Sequence, residues 1–176
     1  DDGSNLSLTI FSLSSESELI FTGDSGSTEP ADPSKRQGVE IDLFKRLSAT
    51  WAADISASFV KSRFVGVPES SSHIPNAKGR VIGAGITWAG ENDSLSARIR
   101  HFGDAALVED NSVSNPPTTL SNAKYERGFN KYAVSLEILN ILDSKDYDVA
   151  YFFESQTSQS AHPTEDIHFH PVLPRT

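Results

Sequence analysis

Between Trp51 and Phe59 the chain alternates. Trp51, Ala53, Ile55, Ala57 and Phe59 form an apolar series, interleaved with Ala52, Asp54, Ser56 and Ser58. A repeat of two matches the side-chain spacing on one face of a β-strand, so this run predicts a strand with one dry face. Upstream, Val39, Ile41 and Leu43 interleave with Glu40 and Asp42, and Lys45 to Thr50 separates the two runs; together they predict a hairpin. A second hairpin follows. Ile82, Ala84, Ile86 and Trp88 alternate with Gly83, Gly85 and Thr87, and after the polar turn Gly90 to Asp93, Leu95, Ala97 and Ile99 alternate with Ser96, Arg98 and Arg100. Leu6, Leu8 and Ile10 predict a further strand, but the register slips before Leu19 and Phe21, which a bulge near Ser14 to Glu16 would explain. Tyr132 to Leu142 fits either period. Tyr132, Val134, Leu136 and Ile138 suit a strand, whereas Leu136, Leu139 and Leu142 suit a helix face; Leu120 to Arg127 is its predicted hairpin partner through Gly128 to Lys131.

Short and long connections alternate. The short ones are Lys45 to Thr50, Ala89 to Ser94 and Gly128 to Lys131; the long ones are Gly23 to Lys35, Gly66 to Lys78, Gly103 to Thr118 and much of Asp143 to Pro171. The expected fold is all-β, an antiparallel up-and-down meander of about seven or eight strands, with tight turns at one end and long polar loops at the other. That is the asymmetry of a transmembrane barrel. Glu40, Asp54, Arg98 and Arg100 all lie on polar faces, and Trp51 and Trp88 would share the short-turn rim, where amphipathic rings favour a membrane interface. The same pattern also permits a soluble sandwich, in which the apolar stripes would meet across a sealed core.

Composition narrows the field. The formal charge is −9, and no run of Lys and Arg of the kind that neutralises phosphates interrupts the acidity, so nucleic acid is not an expected partner. There is no Cys for a disulfide or thiolate metal site, and the lack of Met reads as a processed or excised segment. No apolar run approaches the ~18 residues of a spanning helix, which leaves strands as the only way across a bilayer. No GxSxG, HExxH, P-loop or dinucleotide fingerprint occurs, so neither an enzyme nor a cofactor is expected.

Four segments carry a family resemblance. Arg36-Gln37-Gly38-Val39-Glu40 resembles the R-x-G-V/I-E element of TonB-dependent outer-membrane receptors, and Ile55 to Val65 resembles the strand that follows it. His73-Ile74-Pro75-Asn76-Ala77 is similar to their IPNAP element, and Leu136 to Tyr147, LEILNILDSKDY, to NLFD-x-x-Y near the end of the barrel. The tail from Asp166 to Thr176 resembles the approach to the last strand. The resemblance reads the ambiguous segment as a strand. It implies that residues 1–176 are the C-terminal part of a barrel of about 22 strands, without its plug domain and final strand. It further implies a Gram-negative outer-membrane receptor that takes up scarce nutrients such as ferric siderophores. The implied partners are outer-membrane lipid, a small-molecule cargo such as a metal chelate, and TonB acting through the plug. A soluble secreted or periplasmic β-domain binding carbohydrate or protein through long loops is the alternative, and a small complete eight-stranded barrel a third.

Candidate ligand contacts are few. His168 and His170 are two apart and would face one way on an extended segment, with Glu165 and Asp166 just upstream. The ordinary reading is a polar loop with two histidines, since the sequence fixes no third ligand. His73 and His162 are lone loop histidines. Asp143, Asp146 and Asp148 lack the Gly and terminal Glu of an EF-hand loop. Arg98 and Arg100 would line a lumen, meeting anionic cargo or plug carboxylates, or pairing with wall carboxylates.

Overall fold

The computed structural model describes residues 3–22, 26–156 and 162–176. Seven strands form one antiparallel sheet: β1 (Asn5–Ser15), β4 (Ser34–Arg46), β5 (Trp51–Phe64), β6 (Arg80–Ala89), β7 (Asp93–Phe102), β10 (Thr118–Gly128) and β11 (Ala133–Ile138), neighbours in that order. The gaps in numbering are hairpins within the long connections: β2 (Glu18–Thr22) with β3 (Ser27–Ala31), and the small bridge of β8 (Ala105–Ala106) with β9 (Ser114–Asn115). Beyond β11, β12 (Tyr147–Ser155) pairs with β13 (Thr164–Pro171). The path is therefore the expected meander. The predicted hairpins form where the alternation placed them, and Tyr132 to Leu142 contains a strand, not a helix. The long connections are more ordered than polar loops need be, with a 3₁₀ turn (Glu69–Ser71) besides the hairpins. Part of two of them, residues 23–25 and 157–161, lies outside the described residues.

Register explains why the sheet has two unlike faces. Across it, Leu8 opposes Ile41, Ile41 opposes Ala57, and Ala57 opposes Ile82; Ile86 opposes Ala97, Ala97 opposes Ala123, and Ala123 opposes Ile138. No register shift interrupts any of the six ladders, so apolar positions stay on one face over seven strands. From the Trp51 row to the Phe59 row that face is apolar but for Lys45, opposite Ala53 near the short-turn border, and Arg80, opposite Phe59 at the long-loop border. Eight rises of about 3.4 Å, tilted by about 40°, make this band about 21 Å tall, close to the ~25 Å apolar band of an outer-membrane barrel. Ile10, Ile55 and Leu136 are 77%, 46% and 63% exposed there. Among the described residues no second sheet covers the band, so the stripes do not meet across a sandwich core.

The buried residues lie at the long-loop end. Phe64, Ile74, Leu107, Ala150 and Val172 are buried, joined by Ser34, Ser62, Ser72, Thr118 and Asn140. Loops lock together there through backbone groups: Phe64 N–H donates to Ser72 O (2.9 Å), and Asn76 N–H donates to Ala106 O (2.8 Å).

Two expectations need correction. No bulge inserts a residue near Ser14 to Glu16. Ser15 opposes Ser34 and Glu18 opposes Ala31, three residues later in one strand and three earlier in the other, so both strands are interrupted equally. Pro33 has no N–H for the ladder, and its carbonyl instead accepts from Val65 N–H (2.8 Å). Second, the strand expected over Tyr132 to Leu142 spans only Ala133–Ile138. Asn140, with φ of 49°, takes the left-handed conformation that this side chain tolerates. Its Nδ2 donates to Ser144 O (3.0 Å) and Leu173 O (2.9 Å), while Oδ1 accepts from Ser144 N–H (2.9 Å). This clamp holds residues 172–176 beside the end of β11, where Leu139 and Thr176 exchange backbone hydrogen bonds of 2.8 and 3.3 Å. Asn140→Ala should loosen that pairing by about 2–4 kcal/mol, through unpaired buried carbonyls and a strained backbone. Amide hydrogen exchange at Leu139 and Thr176 should accelerate accordingly; unchanged protection would refute the clamp.

Candidate functional site

The polar face brings Asp54 and Arg98 together from strands that are not neighbours. Asp54 opposes Gly85 on β6, and Gly85 opposes Arg98 on β7. The two side chains meet over the glycine. Arg98 donates from Nη1 to Asp54 Oδ2 (3.0 Å) and from Nη2 to Oδ1 (2.9 Å), a bidentate pair. A Cβ at position 85 would lie 2.6 Å from Asp54 Oδ1 and 2.9 Å from Arg98 Nη2, so the pair needs glycine beneath it. Arg100, two residues on along the same face, opposes Gly83 and Leu120. It is exposed and makes no ion pair among the described residues. The two predicted arginines therefore do different work: Arg98 braces the wall, and Arg100 faces open space.

The family-like motifs sit at positions of special geometry. Gly38 lies under the Phe11 ring, and a Cβ there would be 2.7 Å from both that ring and Phe59 O. Asn76, with φ of 60°, donates from Nδ2 to Ala150 O (3.0 Å), tying the connection before β6 to β12. Arg36 holds Glu18 across the base of the β2–β3 hairpin (Nη2 to Oε2, 3.1 Å), and Ser34 Oγ donates to the same carboxylate. The Ser34 hydroxyl and then Arg36 lower the Glu18 pKa, partly opposed by burial.

The histidine pair divides too. His168 stacks on Phe153, ring centres 3.9 Å apart, with its Nε2 buried and unpartnered. His170 is more exposed, 3.9 Å from Asp148. Among the described residues no group of three His, Asp or Glu side chains could hold a metal ion. His73 is tied to the Glu109 carbonyl, with its Nδ1 at 3.2 Å. Asp143 pairs with Lys145 (3.0 Å) at the loop base. What the sequence reading missed is an aromatic wall: Phe21 packs on Tyr151 (4.7 Å) and Tyr147 stacks on Phe169 (4.0 Å). The run Tyr151-Phe152-Phe153 was its only local signal. Beside it an open cleft of ~660 Å³ is lined by Phe21, Leu107, Phe152 and Phe153, and by the carboxylates Glu109, Asp110, Glu154 and Glu165. Hydrogen bonds from the Ser112 hydroxyl and backbone N–H lower the Asp110 pKa, keeping that wall anionic.

Solved structures share this fold. The closed form of the ferric-catecholate import receptor Fiu of E. coli K12 superposes with a TM-score of 0.69 at 18% identity, covering 98% of this chain and 24% of that one. The siderophore receptor PiuA of Acinetobacter baumannii gives 0.70 at 15% identity, covering 98% and 25%. The ferric yersiniabactin uptake receptor FyuA of Yersinia pestis gives 0.69 at 14%, covering 94% and 26%. This is the fold of a TonB-dependent receptor barrel. The chain spans about a quarter of the length of these receptors, and as a piece of such a barrel its sheet is open. No family model matches it, and no curated protein matches it in sequence. In the receptor-barrel frame the apolar band is the outer face of the wall, and Asp54, Arg98 and Arg100 lie on the inner face.

Two outcomes follow from this geometry. A double-mutant cycle on Asp54 and Arg98 should give about 0.5–1 kcal/mol for this partly exposed bidentate pair, and the coupling should vanish in a Gly85→Val background. A coupling that survives the added side chain would refute the bridging role of Gly85. For Glu18, a pKa below the ordinary 4.5 means that its contribution is complete above that value and is lost as pH falls through the lower, folded value. Protection of β2–β3 amides should therefore weaken on that acid limb. In Glu18→Gln the limb should flatten; a limb of unchanged steepness would show that other carboxylates set it.

Proposed function

We propose that this chain is part of the wall of a Gram-negative outer-membrane receptor that admits a scarce nutrient, carried as a small metal chelate, with uptake energised through TonB. The observation that carries the reading is the apolar outward face, charged only toward its two borders at Lys45 and Arg80 and close in height to the apolar band of an outer-membrane barrel, backed by an ion-paired polar face and roofed at one end by packed loops. In a soluble domain seven strands of exposed Leu, Ile, Val and Trp would remain in water, at roughly 25 cal/mol per Å². In hydrocarbon that exposure is what stabilises the wall. The structural neighbours, a ferric-catecholate import receptor, a siderophore receptor and a ferric yersiniabactin uptake receptor, support the cargo class. The order of the four family-like motifs supports reading residues 1–176 as the C-terminal part of the barrel, with the plug, on which TonB pulls, supplied by another part of the receptor.

Cargo contacts belong to the cleft beside Phe21, Phe152 and Phe153. Its aromatic surface suits a flat organic chelator. Its carboxylates favour a chelate that is neutral or positively charged over a strongly anionic one. His168, His170, Arg98 and Arg100 contribute less directly, His168 by fixing the Phe153 ring and Arg100 as the open inner-face cation.

Two measurements test the proposal. Trp51 and Trp88 oppose each other at the short-turn rim. In vesicles, lipids brominated near the headgroup should quench them more than lipids brominated at the acyl-chain end. Cells lacking the receptor that contains this segment should lose uptake of at least one radiolabelled ferric chelate, as should cells lacking TonB. Tryptophans that no brominated lipid reaches would sink the membrane assignment, and unchanged uptake of every chelate would sink the transport role.

A further inference from the structure

Separate loops build the cleft beside the aromatic wall. Phe21 reaches it from β2, Glu109 and Asp110 from the stretch between β8 and β9, and Phe152, Glu154 and Glu165 from the β12–β13 hairpin. Its lining holds four carboxylates and no Lys, Arg or His. Glu154 opposes Glu165 directly in the β12–β13 ladder, so the two carboxylates share one face, about 5 Å apart at their bases. Phe152, two residues before Glu154 on the same strand, lies on that face as well. Neither glutamate makes an ion pair among the described residues.

Like charges directly opposite one another in a sheet are destabilising. Elsewhere the chain supplies a countercharge: Glu18 holds Arg36 (3.1 Å), and Asp54 holds Arg98 (2.9 Å). Across the cleft, the Ser112 hydroxyl (2.7 Å) and backbone N–H (2.9 Å) donate to Asp110 and keep it ionised, so the far wall stays anionic too. The rings add to this field, because an aromatic face carries the negative part of its quadrupole and attracts cations. Two of them are braced before any ligand arrives: Phe21 packs on Tyr151 (4.7 Å), and Phe153 stacks on His168 (3.9 Å). Aromatic faces beside carboxylates without a countercharge are the components of an ammonium site.

We infer that this cleft takes a cargo carrying a protonated amine, with the ammonium group seated between Glu154 and Glu165 beside the Phe152 ring. The inference rests on the cargo reading above and narrows it from a chelate of low negative charge to one with a cationic arm. An ammonium group has three N–H donors, enough to reach both glutamates at once. It turns the repulsion across the β12–β13 ladder into two ion pairs, so the occupied hairpin is the more rigid one.

The test uses the complete receptor in lipid nanodiscs and a panel of ferric hydroxamate, catecholate and carboxylate chelates. Each is prepared with a terminal primary amine and as its N-acetyl derivative, which removes the charge of that amine, and affinities are read by calorimetry. Any chelate that binds should bind about tenfold more tightly with the free amine, the order expected of an ammonium against an aromatic face and carboxylates. Added salt should shrink that preference. Glu154→Gln/Glu165→Gln should bind the two forms alike. So should Glu165→Lys, which gives Glu154 an opposite charge across the ladder and steadies the hairpin. Glu91→Gln, in the turn between β6 and β7, should keep the preference. Equal affinity of wild type for the two forms overturns the inference, as does a preference that survives in both cleft variants. The panel separates the two levels: a receptor that binds chelates without regard to the amine refutes this site and leaves the transport reading standing, whereas one that binds none of them refutes the cargo reading and this site with it.

Discussion

An unbroken antiparallel register is what the rest of this molecule depends on. Side chains alternate faces with a period of two, so a slip of one residue in any ladder would turn a strand's Leu, Ile and Ala inward and its Ser, Asp and Arg outward. Between β1 and β11 no such slip occurs. The apolar band, the register pairing of Trp51 with Trp88 and the inner ion pair of Asp54 and Arg98 all follow from that single constraint. It also makes the outer strands of the sheet dependent on neighbours. β1 and β11 each pair on one side, and in hydrocarbon an unpaired row of N–H and C=O groups costs several kcal/mol per group.

Where the register must end, specific residues end it. Pro33 withholds a donor at the base of the β2–β3 hairpin, and Asn140 adopts positive φ just after β11, each at a point where the wall gives way to loops. Asn76 does the same between β5 and β6. Gly38 and Gly85 serve the opposite need, allowing the sheet to continue while a ring or an ion pair crosses its surface. Three of the four segments that resemble receptor motifs thus contain a residue whose backbone or close packing explains why that residue type is there, and none of these residues lies where cargo would dock. Such motifs mark architecture.

This division also explains what could be read in advance. The hairpins were legible because alternation is local: Trp51 to Phe59 predicts its own faces, and the turns between runs fix the order. The extent of β11 was not, because Leu136, Leu139 and Leu142 continue an apolar pattern past the point where Asn140 breaks the chain. The roles of Arg98 and Arg100 look identical in sequence and differ only because Asp54 lies two strands away across Gly85 and nothing comparable faces Arg100. His168 and His170, paired by spacing, separate because a ring of β12 covers one of them.

The cations Lys35, Lys61 and Arg80, on β4, β5 and β6, show the same limit. Lys35, Lys61 and Arg80 are far apart in an acidic chain and form no basic run, so composition gives no hint of them. Two ladders in register bring them to one border of the sheet on three adjacent strands. At the opposite rim Asp93 neutralises Arg127. Short turns and the Arg127–Asp93 pair mark one border of the band, and long loops mark the other, where Lys35, Lys61 and Arg80 make no ion pair among the described residues.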